Sequence, residues 1–156
     1  MPQVKGSKAS ATDRCVLRCP TVQERLEQIV QRFGADTGTL HLVEDGVLVL
    51  KGQVGLPPPV IEIVKRVPIG KGMAGLAAER NAPVSACNIQ TDTSGDVRPG
   101  AKQTGVNGAI VVPIRDGSGA VRGTLGIGVH REYDYTPEET DRLMEEARTF
   151  VASASP

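Results

Sequence analysis

Three parts of the chain carry residue types suited to chemistry, and each points to a different kind. Gly70-Lys71-Gly72-Met73-Ala74-Gly75 spells G-x-G-x-x-G, the loop that wraps a pyrophosphate when a buried parallel strand precedes it and a strand-helix-strand unit contains it. Pro68 spoils that strand, so the spacing predicts a tight turn that lets a helix lie close to a sheet. Amides at the start of that helix, beside Met73, still suit an anionic ligand group, because unpaired donors and the helix dipole favour negative charge there.

The thiols and imidazoles form the second group. Cys15 and Cys19 have three residues between them, and His41 and His130 fall in separate apolar runs. A zinc site takes about four ligands, so no metal site is expected. Cys87 follows Val84 in an apolar run, where a small buried hydrophobe is the default and a reactive thiol needs a cationic neighbour. Hydrogen-bonded sheet positions are the expectation for both histidines.

The third group is the polar segment Gln90 to Asn107, with Asp92, Asp96, Arg98, Lys102 and Asn107. Pockets are mostly apolar with a few placed polar groups, and Asn107, at the junction of loop and strand, is the best placed of these. Gly126 and Gly128 alternate along one face of a strand and leave room there for a helix or a ligand. The ligand-binding candidates are therefore Met73, Cys87, Asp92, Arg98, Asn107 and Gly128. No catalytic residue is assigned and no cofactor can be named.

The elements that must position these residues follow from pattern. The chain has 156 residues, 39% of them hydrophobic, and 18 basic against 18 acidic side chains. That composition predicts one globular domain and disfavours nucleic-acid binding. No apolar run reaches the ~18 residues of a membrane helix, and a cytoplasmic protein is expected. Residues 1–18 lack hydrophobic period and read as a flexible tail, with the domain over 19–152 and a short tail over 153–156.

Thr21-Val22-Gln23-Glu24 is a capping box before the apolar stripe Val22, Leu26, Ile29, Val30 and Phe33, and Gly34 supplies a left-handed stop. Two Val- and Leu-rich strands flank Asp45-Gly46, a tight-hairpin dipeptide. Leu56-Pro57-Pro58-Pro59 ends that pairing, and a crossover with a short helix runs through Val60 to Arg66. A helix over Met73 to Arg80, a strand over Val84 to Ile89 and a hairpin around residues 115–119 come next. Thr136-Pro137-Glu138-Glu139 then caps a last helix carrying Leu143, Met144, Ala147, Phe150 and Val151. Hairpins imply an antiparallel sheet, and the order predicts an α+β fold.

Ile69 to Ala78, Ala82-Pro83-Val84, Val111-Val112-Pro113-Ile114, the Gly-rich strand after them and Tyr135 to Glu139 together resemble a GAF domain over about Thr21 to Val151. The resemblance implies a profilin-like antiparallel sheet of five or six strands. Its terminal helices would pack on one face, with crossover helices and a long loop closing a small-molecule pocket on the other. It also implies a sensory or regulatory module that acts in trans on an unidentified effector, with a signalling partner and a homodimer formed through the terminal helices. Residues 1–35 hold six basic and three acidic side chains, and 132–150 hold seven acidic and two basic; opposite signs favour packing the two ends together.

The GAF resemblance leaves an enzyme as an alternative, because free methionine-(R)-sulfoxide reductases are standalone GAF proteins of about this size whose chemistry requires thiolate attack and a resolving cysteine. That subfamily places a cysteine within the segment matching Gly72 to Gly75 and others ahead of Val111. Position 74 is Ala here and residues 90–109 contain no cysteine, so a binding module, not an enzyme, is expected. A ligandless interaction module, its pocket filled by its own side chains, is the remaining alternative.

Overall fold

The computed structural model describes residues 21–90 and 106–154. The chain opens with α1 (Val22–Arg32), whose Thr21 hydroxyl accepts from the Glu24 amide while the Glu24 carboxylate accepts from the Thr21 amide. β1 (Thr37–Glu44) and β2 (Val47–Val54) form a hairpin in which Asp45 and Gly46 both adopt positive φ, 53° and 77°. That pair of dihedrals matches the right-handed twist of the strands. α2 (Pro58–Val64) begins in the proline run, where missing amide donors cost nothing to the first turn of a helix.

β3 (Arg66–Pro68) corrects the sequence reading, which ended the pairing before it. It is an edge strand antiparallel to β2, with Pro68 opposite Val47, and an edge is where a strand tolerates proline. α3 (Gly72–Arg80) ends on Asn81 in the left-handed region, and β4 (Val84–Ala86) follows. β4 is shorter than the expected strand to Ile89, because the chain leaves the sheet at Cys87. The hairpin of β5 (Gly108–Arg115) and β6 (Val121–Val129) precedes α4 (Pro137–Ala154). At the start of α4 the Glu139 carboxylate accepts from both the Thr136 amide and the Tyr133 hydroxyl.

The six strands form one antiparallel sheet in the order β3-β2-β1-β6-β5-β4, as the α+β expectation requires. Period-2 alternation splits its side chains between two layers. Behind it, Leu40, Ile110, Val112, Ile114, Leu125 and Ile127 pack against Leu26, Ile29 and Val30 of α1 and Leu143, Ala147 and Phe150 of α4. In front, Met73 and Ala77 of α3 pack on Val84, Ile89, Val106 and Val111.

The opposite charges of the chain ends do meet. Arg32 pairs with Glu146, Arg25 donates to the Thr149 carbonyl at 3.0 Å, and the Arg25 and Arg142 guanidinium groups stack on Phe150 and Phe33. Exposed pairs contribute about 0–1 kcal/mol each, so they orient the helices, and the apolar layer beneath holds them.

Candidate functional site

The front of the sheet holds a cavity of about 160 Å³. Alternate residues of the three central strands form its floor: Thr37, Thr39 and His41 of β1, Gly126 and Gly128 of β6, and Ala109 and Val111 of β5. Lys71, Gly72, Met73 and Ala74 at the start of α3 make one wall, and Ile63 and Val64 at the end of α2 another. Ile89 and Val106 also line it.

Glycine in β6 serves two purposes at this floor. A Cβ on Gly128 would lie 2.6 Å from Val106 Cγ1 and 2.9 Å from Thr37 Oγ1, and one on Gly126 would lie 2.9 Å from Thr39 Oγ1. Neighbouring side chains therefore lean over the two glycines, and the space left above them is cavity. The open choice between a helix and a ligand is answered by both a strand neighbour and a hollow.

His41 and Thr37 are buried polar groups of this floor, 2% and 6% exposed, and of the two His41 carries the titratable ring. Its Nε2 lies 2.9 Å from the Val64 carbonyl. A carbonyl only accepts, so Nε2 carries the proton and a neutral ring presents a lone pair at Nδ1. Nδ1 is buried with no hydrogen-bond partner among the described residues, and the same holds for Oγ1 of Thr124, which stands opposite His41 across β1 and β6. Burial pushes the His41 pKa below its ordinary value, against the smaller opposing effect of the Val64 bond.

A test of this state follows from linkage. The unfolded chain takes up a proton at about 6.5 while folded His41 resists it, so stability is full above that pH and falls as pH drops below it. Urea unfolding between pH 7.5 and 5 is expected to show this loss in the parent and a flatter profile in His41→Phe. One proton limits the slope to about 1.4 kcal/mol per pH unit. Equal slopes in the two chains would show that His41 is not held neutral by the fold.

Of the six candidate ligand residues, Met73 and Gly128 line the cavity. Asp92 and Arg98 lie outside the described residues, as do the rest of 91–105 and the cysteines 15 and 19. Cys87 is not the buried hydrophobe expected: it is exposed, past the end of β4, and its carbonyl accepts from the Tyr133 amide. Asn107 also stands outside the cavity wall. Its side-chain amide donates to the His130 carbonyl and its backbone bonds to Ile89 and Val129, which fastens the start of β5 to the end of β6. The G-x-G-x-x-G segment forms a turn with Gly70 at φ 95° and Gly72 at φ 68°, followed by an antiparallel arrangement that holds no dinucleotide unit. Its residues Lys71 to Ala74, at the start of α3, nevertheless line the cavity.

Sequence reasoning missed that His41, Thr37 and Thr39 line this cavity. A signal was present: polar side chains at 37, 39 and 41 alternate with Gly38, Leu40 and Leu42, which marks a strand with one apolar face and one face around a partly polar hollow.

The fold defined by this sheet and its two helical layers is that of the GAF domain, and the family profile of that description matches residues 21–152. The chain belongs to the GAF domain family. Among solved structures, the GAF domain of a phosphoenolpyruvate-protein phosphotransferase from Coxiella burnetii is 22% identical with a TM-score of 0.73, over 90% of this chain and 86% of that one. A type II free methionine-R-sulfoxide reductase from Thermoplasma acidophilum is 20% identical with a TM-score of 0.68, over 83% and 86%. The GAF region of a membrane protein from Geobacter sulfurreducens is 17% identical with a TM-score of 0.72, over 91% and 93%. At these identities the likeness is one of fold. No curated protein matches the chain in sequence.

Proposed function

We propose that this GAF domain is a non-catalytic sensory module. A small organic effector enters the front cavity, and the terminal helices α1 and α4 carry the response in trans to a signalling partner or a second copy of the chain. The cavity itself is the observation that carries the reading: a hollow of about 160 Å³ over two glycines, with the buried His41 in its floor, whose Nδ1 has no hydrogen-bond partner among the described residues. A structural core would close such a space, since lost contacts and unpaired polar atoms both cost stability.

Catalysis of the reductase type needs a thiolate at the sulfoxide. Ala74 occupies the wall position where that subfamily resemblance places a cysteine, and Cys87 is exposed outside the cavity. A coupled assay with free methionine sulfoxide and thioredoxin is expected to show no turnover. Turnover abolished by Cys87→Ser would replace the sensor reading with the enzyme.

Thermal-shift screening of nucleotides, amino acids and small organic molecules tests the binding itself. A ligand at 100 times its dissociation constant stabilises by about 2.7 kcal/mol, or roughly 5–10 °C for a domain of this size. Ala109→Phe, which places a ring in the cavity, is expected to abolish every such shift. Shifts that survive it would move the site elsewhere, and a library with none would leave the ligandless module. For the homodimer, light scattering at high concentration is expected to give twice the 16.4 kDa of one chain; a 16.4 kDa particle would remove it.

A further inference from the structure

Resting on the cavity reading above, we propose that the hydroxyls of Thr37 and Thr39 are the polar contacts of the ligand, and that the ligand is a largely apolar molecule ending in a neutral group with an O–H or N–H, of the alcohol or carboxamide class. The two threonines stand two apart on β1, so both side chains rise from the same face of the sheet, and both line the cavity. A Cβ added to Gly128 would lie 2.9 Å from Thr37 Oγ1, and one added to Gly126 would lie 2.9 Å from Thr39 Oγ1. Each hydroxyl therefore hangs over a residue of β6 that has no side chain to cover it. The other polar atoms of this face are sealed: Nδ1 of His41 and Oγ1 of Thr124, opposite each other across β1 and β6, are fully buried. The hydroxyls of Thr37 and Thr39 also bond to no described residue, yet they are not among the sealed atoms, although Thr37 as a whole is only 6% exposed. They are the accessible polar groups of the floor.

A ligand that covers a hydroxyl takes away its bond to water and loses affinity unless it supplies another. A hydrocarbon supplies none, whereas an alcohol or a carboxamide both donates and accepts, as a threonine hydroxyl does. Charge is excluded by the same lining. Among the described residues around the cavity only Lys71 carries a formal charge, and it belongs to the α3 wall, not to the floor. A carboxylate seated on Thr37 and Thr39 would be buried against neutral hydroxyls without a cation, which costs far more than burying an amide or an alcohol. A carboxylate turned toward Lys71 is the competing arrangement. Val64, Val67, Met73, Val111 and Ile127 supply aliphatic surface for the rest of the molecule.

Isotope-labelled protein titrated with toluene, benzyl alcohol, benzamide and benzoate, which share one body, and then with hexanamide and hexanoate, separates the two. Benzyl alcohol and benzamide are expected to bind about tenfold more tightly than toluene, the difference one net hydrogen bond makes, and each amide more tightly than its carboxylate. In the double variant Thr37→Val, Thr39→Val the three neutral aromatic ligands are expected to bind alike, and in Thr37→Ser, Thr39→Ser the preference for the polar heads is expected to persist. Valine keeps the shape and strand preference of threonine, and the hydroxyls it removes hold no described residue, so the free double variant is expected to melt no lower than the parent; a lower Tm would make the hydroxyls structural and overturn the assignment. Toluene binding as tightly as benzamide in the parent, a polar preference that survives the valine variant, or carboxylates binding more tightly than their amides would each overturn it too. The parent series decides even if the valine variant fails to fold. If no probe shifts any resonance of a cavity residue, this ligand class is wrong; the sensor reading falls only if the broad thermal-shift library is silent as well.

Discussion

Gly75→Ala is expected to cost about 3 kcal/mol of stability and to abolish binding in the front cavity, although it adds one methyl group to a helix. A Cβ at this position would lie 2.4 Å from the Pro68 carbonyl oxygen and 3.0 Å from the Gly70 amide nitrogen. Both are backbone atoms of the turn that leads into α3, so no rotamer relieves the overlap. The Gly75 carbonyl also accepts from the Gly70 amide at 2.8 Å, and the Gly75 amide donates to the Lys71 carbonyl. Moving the helix outward breaks these bonds and lifts Met73 and Ala74 from the cavity wall. Overpacking usually costs about 1–3 kcal/mol, and contact with fixed backbone belongs at the upper end. Urea unfolding checks the value. Gly117→Ala, in the β5–β6 turn with open space around its Cβ, is the control and is expected to change stability by less than about 0.5 kcal/mol. A neutral Gly75→Ala would mean that α3 does not depend on close approach to the turn.

The same glycines explain why the phosphate-loop pattern was legible as a turn before any coordinates. A pyrophosphate loop needs a buried strand ahead of it, and proline at position 68 is compatible only with an edge. What the sequence could not reveal was that Arg66 to Pro68 still pairs, because three residues on an edge carry too little periodicity to register. The capping boxes at Thr21 and Thr136, the Asp45-Gly46 turn and the stripe of α1 are local patterns, and each formed where its chemistry required. The β4 strand was overextended for the opposite reason: Val84 to Ile89 is apolar enough for a strand, yet Cys87 and Asn88 turn outward to meet the segment before α4, with Asn88 bonded to Glu132.

The cavity was half legible. Gly128 and Met73 were found because small residues and a helix start leave marks in sequence. Asn107 lies outside the cavity wall: a polar residue at a loop-strand junction fits a ligand contact and a backbone latch equally, and its bond to the carbonyl of His130 is the latch. His41 was set aside because a histidine in a strand is usually satisfied. One of its nitrogens is satisfied, and the other has no partner among the described residues, a distinction that depends on which carbonyl lies above the ring and that no spacing rule encodes.

Leu125→Ala tests the other face of the sheet. Leu125 lies in β6 opposite Leu40 of β1 on one side and Val112 of β5 on the other, and all three are 0% exposed. The row crosses the three central strands beneath α1 and α4, so truncating its middle member opens a hole bounded by both helices and two neighbours that cannot close it without bending the sheet. Buried leucine-to-alanine changes cost about 2–5 kcal/mol, and a site so confined is expected to lose about 3–4 kcal/mol, lowering the Tm by roughly 10 °C. Leu40→Ala should resemble it, and the double variant should fall short of the sum because the two share one hole. Below the melting transition the front cavity, on the far side of the sheet, should keep its ligand affinity. A loss of affinity in Leu125→Ala at a temperature where the chain is folded would mean that the rear layer sets the shape of the front one. That outcome would make the sheet itself the element through which α1 and α4 sense the ligand.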